Sequence, residues 1–177
     1  PLAGHPDKIL VCDYQGFKVL RRTARGVEFG WRIEGLDVSS NLFEQDSDGA
    51  LWVNHWQKGV YRLTFSPDLR HFAHIDFFDA GHCLPSSGNN LICKINGKVY
   101  VSSINGFHCY NPGTRRLAKD NRITAIFNSP GTPIKVKQLS EGDLWGYNET
   151  MLFYAKLLPD GTYHTDSVPM RRFINPL

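Results

Sequence analysis

The sequence predicts an all-β protein made of β-propeller blades, which are four-stranded antiparallel meanders repeated in tandem. Three observations predict it. A strand–turn–strand pattern returns in register about every 45 residues, the spacing of a four-stranded blade. Asp-Gly or Asn-Gly pairs separate strand-like runs, the strongest short-range hairpin signal. Helical periodicity is missing, because Gly or Pro interrupts nearly every window before an apolar stripe can build.

The clearest unit is NLFEQDSDGALWVNHWQKGVYRL, from Asn41 to Leu63. It reads as a strand (Leu42 to Gln45), a tight turn (Asp46 to Gly49), a strand (Leu51 to His55), a second turn and a third strand (Val60 to Phe65). A fourth strand follows from His71 to Phe78, after the turn Ser66-Pro67-Asp68. The frame returns at Asn90, where Asn96-Gly97 takes the turn, Val99-Tyr100-Val101 replaces Leu51-Trp52-Val53, and Gly106-Phe107 replaces Gly59-Val60. It returns again at Ile134, where Gln138, Ser140, Gly142, Leu144 and Trp145 match Gln45, Ser47, Gly49, Leu51 and Trp52. Upstream, Lys8 to Leu20 matches the second and third strands, with Gly16-Phe17 at the Gly59-Val60 position.

The expected organisation is therefore a partial propeller over 1–177, about three to four blades: an incomplete blade at 8–36 and blades at 39–80, 88–128 and 133–166. Each blade is expected to need its neighbours for a core, with Trp52, Tyr100 and Trp145 packed between blades. Closed propellers have four to eight blades, so the chain is expected to belong to a larger ring whose remaining blades lie in a longer chain. An isolated arc would expose an apolar face at each end, which predicts homodimerisation or other self-association.

Composition is that of a folded globular chain: 177 residues, 41% hydrophobic and 21% charged, with 12% aromatics, 16 Gly and 10 Pro favouring strands and turns. The formal net charge of +3 comes from scattered pairs such as Arg21-Arg22, Arg115-Arg116 and Arg171-Arg172. Such pairs read as solvated surface rather than a nucleic-acid patch. No apolar run approaches the roughly 20 residues of a membrane span. Cys12, Cys83, Cys93 and Cys109 form no metal-ligand spacing and are expected as free thiols.

The segment Asp46-Ser47-Asp48-Gly49-Ala50-Leu51-Trp52-Val53, followed by Lys58-Gly59-Val60-Tyr61-Arg62-Leu63, resembles the two-component-regulator propeller repeat. That repeat has the shape D-x-x-G-x-L-W-[IV]-G-T-x-x-G-L-x-R. Gly81 to Asn90 resembles the family's blade-to-blade linker with an insertion, and Asn105-Gly106-Phe107 with Tyr110-Asn111-Pro112 resembles its N-G-[LIF]-x-x-[YF]-[DN]-P segment. The Gly-Thr after the second strand is replaced here by Asn54-His55 and Ser102-Ser103. The resemblance implies a periplasmic or extracellular sensing segment of a membrane-anchored signalling regulator, responding to carbohydrate. Kinase, receiver and helix-turn-helix parts are not in this sequence.

Asp46, Asp48 and Gly49 match the start of a calcium loop, but no Glu stands at the twelfth position, and a hairpin turn accounts for them. His55, His71 and His74 complete no tetrahedral ligand set, and HxxH on a strand points its two rings to opposite faces. Neither a metal, a cofactor nor a catalytic set is expected. The binding candidates are the loops joining second and third strands, together with the blade linkers at the same end. They carry His55, Trp56 and Gln57; Ser87 and Asn89; Asn105; and Tyr147 and Asn148. An exposed Trp beside amides and hydroxyls can stack on a sugar ring and hydrogen-bond its hydroxyls, which makes a small saccharide the expected ligand. Alternatives are a propeller scaffold with no ligand of its own and an accessory propeller of a polysaccharide-degrading enzyme.

Overall fold

Strands β1 (Lys8–Asp13), β2 (Gly16–Thr23) and β3 (Gly26–Arg32) form the first antiparallel sheet of a computed structural model that describes residues 1–40, 42–129 and 131–171. Blade 2 follows with β4 (Phe43–Gln45), β5 (Leu51–His55), β6 (Gly59–Phe65) and β7 (Phe72–Phe78). Blade 3 contains β8 (Leu91–Ile95), β9 (Lys98–Ser103), β10 (Gly106–Asn111) and β11 (Arg116–Lys119). Blade 4 contains β12 (Lys135–Gln138), β13 (Leu144–Tyr147), β14 (Met151–Leu157) and β15 (Tyr163–Pro169). In every sheet the spatial order is the chain order, so each blade is a simple meander and the first has three strands.

Strand alternation gives each blade two working faces. In blade 2, Leu51, Val53, Leu63 and Phe72 join Phe17, Val19 and Ile33 of blade 1 in one core cluster. On its other face Trp52, Val60 and Phe78 meet Ile92, Val99, Val101, Tyr110 and Leu117 of blade 3. Cys93, Ile95, Tyr100 and Phe107 of blade 3 then pack on Val136, Leu144, Phe153 and Ala155 of blade 4. The core is a set of seams between blades, because a single sheet has no interior of its own.

Repeated polar residues register the seams. Gln45 accepts the Ala3 amide on its side-chain oxygen at 2.7 Å, and Gln138 does the same for the Asn96 amide at 2.7 Å. Asp46 and Asp48 serve the hairpin: Asp46 takes the Trp52 indole N–H at 3.2 Å, and Asp48 takes the Ala50 amide at 2.9 Å and pairs with Arg62.

Two expectations are corrected. Trp52 and Tyr100 are buried between blades, but Trp145 is 40% exposed. It lies on the face of blade 4 opposite the one packed on blade 3, beside Tyr154 of its own sheet, at 5.2 Å between ring centroids. Among the described residues no further blade covers that face. The second correction is α1 (Asn121–Phe127), a helix inside the linker between blades 3 and 4. Asp120 caps it by accepting the Arg122 and Ile123 amides at 2.9 and 3.2 Å, and Asn128 ends it in the left-handed conformation.

Candidate ligand-binding site at the linker end

The loops between second and third strands touch the blade linkers directly. The Asn89 amide donates to the Trp56 carbonyl at 2.9 Å, and the Gly131 amide to the Ile104 carbonyl at 2.8 Å. Both sets of candidate residues therefore lie at one end of the arc, but the structure separates them into three places.

His55, Trp56, Gln57, Ser87 and Asn89 form a surface ridge over blade 2. The His55 ring accepts the Gln57 and Lys58 amides on Nδ1, each at 3.2 Å, and so caps its own turn. Ser87 accepts the Ala80 amide at 3.1 Å. Trp56 projects from this locked framework and is 65% exposed. None of the five lines a cavity described below.

Asn105 lines a cavity of about 300 Å³ at the seam between blades 3 and 4. One wall is the β9–β10 loop with Ser102, Ser103 and Ile104; the other is α1 and the chain after it, with Thr124, Phe127, Asn128, Ser129 and Thr132. The longer linker makes the cavity possible. Thr124 ties the walls together by accepting the Phe107 amide at 3.0 Å and donating to the Asp120 carbonyl at 2.6 Å. Gly106 permits this approach: its φ is +114°, and a Cβ there would lie 2.5 Å from a Thr124 methyl.

Below the loop, the single Ser103 hydroxyl proton is shared between two acceptors, the Asn105 side-chain oxygen at 3.0 Å and the Gly106 carbonyl at 3.1 Å. The Ser103 oxygen also lies 3.3 Å from Nδ1 of the buried His108. Burial holds the His108 imidazole below its ordinary pKa, so it stays neutral. The Asn105 side-chain oxygen is thus held from within the loop. Asn148 does not line the cavity but braces it, donating to Ser129 at 3.0 Å while its oxygen accepts the Met151 amide at 2.9 Å.

Tyr147 belongs elsewhere. It is the last residue of β13, lies 46% exposed on the outer face of blade 4, and has the Lys135 ammonium 5.9 Å from its ring centre. With Trp145, Lys94, Lys135 and Lys137 it borders a broad cleft of about 800 Å³ beside the inner strands. Sequence reasoning missed Thr124, Asn128, Ser129 and Thr132. The signal that could have found them is Asp120 as a helix cap, followed by Ile123, Ile126 and Phe127 at helical spacing.

Solved structures share this arrangement of successive four-stranded meanders. The extracellular domain assigned to hybrid two component system BT3049 from B. thetaiotaomicron matches with TM-score 0.55 and 18% identity, over 90% of this chain and 20% of that one. An auxiliary nutrient binding protein from Bacteroides ovatus matches with TM-score 0.55 and 13% identity, over 89% of this chain and 37% of that one. The extracellular domain assigned to hybrid two component system BT4673 from B. thetaiotaomicron matches with TM-score 0.50 and 15% identity, over 90% and 24%. The chain thus spans between a fifth and two fifths of the length of these structures. No family model and no curated protein matches it.

Proposed function

We propose that this chain is a non-catalytic, ligand-binding segment of a sensor propeller, belonging to a membrane-anchored two-component-type regulator and working in the periplasm or outside the cell. Its ligand is a small saccharide. The observation that carries this reading is the cavity at the seam of blades 3 and 4. It offers about 300 Å³ and a mixed lining, with Asn105, Asn128, Ser129 and Thr132 as hydrogen-bonding groups beside Ile104, Phe127 and Ile134. A sugar presents that mixture, apolar C–H faces and a rim of hydroxyls. The fold shared with extracellular domains and with a nutrient-binding protein supports a binding role.

Isothermal titration with a panel of neutral and acidic mono- and disaccharides tests the reading. Saturable heat that Asn105→Ala abolishes and Trp56→Ala leaves in place assigns binding to the cavity. Heat lost in Trp56→Ala alone moves the site to the ridge over blade 2. No heat from any sugar overturns the saccharide.

A further inference from the structure

The cavity at the seam of blades 3 and 4 has a neighbour. A groove of about 550 Å³ runs between α1 and the outer strands β14 and β15, and it shares Phe127, Asn128 and Ser129 with the cavity as a common wall. The buried Phe127 ring joins the two spaces from below. It packs at 5.6 Å from Phe107, which lines the cavity, and at 5.8 Å from Phe153, which lines the groove. Asn128 turns the chain there in the left-handed conformation, and the Asn148 amide holds Ser129 to blade 4 at 3.0 Å.

Strand alternation decides what the groove presents. Tyr163, Thr165 and Ser167 pair with Leu157, Ala155 and Phe153, so they share the face of blade 4 that packs on blade 3. His164 and Asp166 take the opposite face. The groove therefore receives the hydroxyls of Ser129, Thr165 and Ser167 beside the apolar Ile126, Met151 and Phe153. Among the described residues no charged side chain lines it. Such a lining suits an uncharged polyol with apolar C–H faces. A carboxylate or sulfate placed there would lose water without gaining a counter-charge.

Size points the same way. Ligand pockets run from roughly 300 to 1,000 Å³. The cavity alone stands at the foot of that range, at about 300 Å³, and the groove beside it is the larger space.

We propose that the groove is a second sugar subsite, so that the ligand is an oligosaccharide of at least two units. One unit occupies the cavity, and the next crosses Asn128 and Ser129 to lie, uncharged, against Thr165 and Ser167. This rests on the reading of the cavity as a sugar site and adds to it a minimum chain length and a neutral second unit.

Calorimetric titration with chain-length series tests it: xylose, mannose and galactose, each against its disaccharide and trisaccharide. In the series that binds, affinity should rise by about tenfold or more from one unit to two, the gain of one or two further hydrogen bonds with their contacts. Galacturonic acid and digalacturonic acid should show no such gain. Thr165→Val/Ser167→Ala should bring the ratio of disaccharide to monosaccharide affinity down to near one. Ser167→Tyr, which fills the groove from an exposed position, should do the same, and circular dichroism confirms that both variants are folded. Equal affinity for one unit and two overturns the second subsite, as does a chain-length gain that survives both variants. An equal gain in the acidic series overturns its neutrality. No heat from any sugar removes the reading of the cavity together with this one, whereas heat without a chain-length gain removes this one alone.

Discussion

Trp52 and Asp46 form one unit: the indole N–H donates to one carboxylate oxygen at 3.2 Å, and the other oxygen accepts the Val99 amide of the next blade at 3.3 Å. The turn, the buried ring and the neighbouring sheet are thereby joined through a single carboxylate. The ring itself stacks on Phe78 at 5.8 Å and meets Tyr110 edge-on at 5.8 Å.

Trp52→Ala should therefore cost about 3–5 kcal/mol, the range for emptying a large aromatic site in a packed core. Trp145→Ala at the equivalent position should cost about 1 kcal/mol or less, because the exposed ring has little to lose. Urea unfolding followed by far-ultraviolet circular dichroism, at concentrations where the chain is monomeric, gives both values.

Asp46→Ala should cost roughly 1.5–3 kcal/mol, since it strands the Trp52 N–H and removes charge-assisted bonds. Asp46→Asn keeps an acceptor oxygen and should recover part of the loss. The urea midpoints of the two variants order them.

His108 sets a pH dependence with a definite sign. Burial lowers its folded pKa below the ordinary 6.5, so the unfolded chain takes up a proton that the folded chain excludes. Stability is full above the ordinary value and declines as pH falls below it. His108→Gln should flatten this decline between pH values of about 7.5 and 5.5, a window above the carboxylate titrations. Equal slopes in both proteins would remove His108 as the cause.

Gly106→Ala should destabilise the chain by more than about 1 kcal/mol, from the positive φ together with the collision with Thr124. Adding Thr124→Ala should relieve the collision but not the backbone strain. Partial recovery of the thermal midpoint in the double variant is the expected reading.

The blades were legible because their cues are local. Asp48-Gly49 and Asn96-Gly97 mark turns without reference to anything distant, and alternation in β5 and β9 points side chains to two faces. The helix was not legible under a three-turn criterion. Its Ile123, Ile126 and Phe127 fill one face of a helix only seven residues long, and the cap at Asp120 is its best mark. The exposure of Trp145 was hidden for a different reason. Its residue type repeats that of Trp52, but burial depends on which sheet lies opposite, and identity at a repeated position does not encode that. The site divides the same way. Asn105 was legible as a loop amide, whereas the wall that faces it comes from residues about 20–30 positions further on, brought near by the linker path.

Each hydrophobic cluster draws on two successive blades, so cooperativity along the arc is nearest-neighbour in character. Among the described residues, blades 2 and 3 are clamped on both sides, blades 1 and 4 on one. Amide exchange should accordingly be graded along the chain, slowest in β5, β9 and β10 and fastest in β3 and β15, with opening events that start at the ends and travel inward. Such a molecule does not melt as a block; it peels, and whatever sits against its end sheets decides how far.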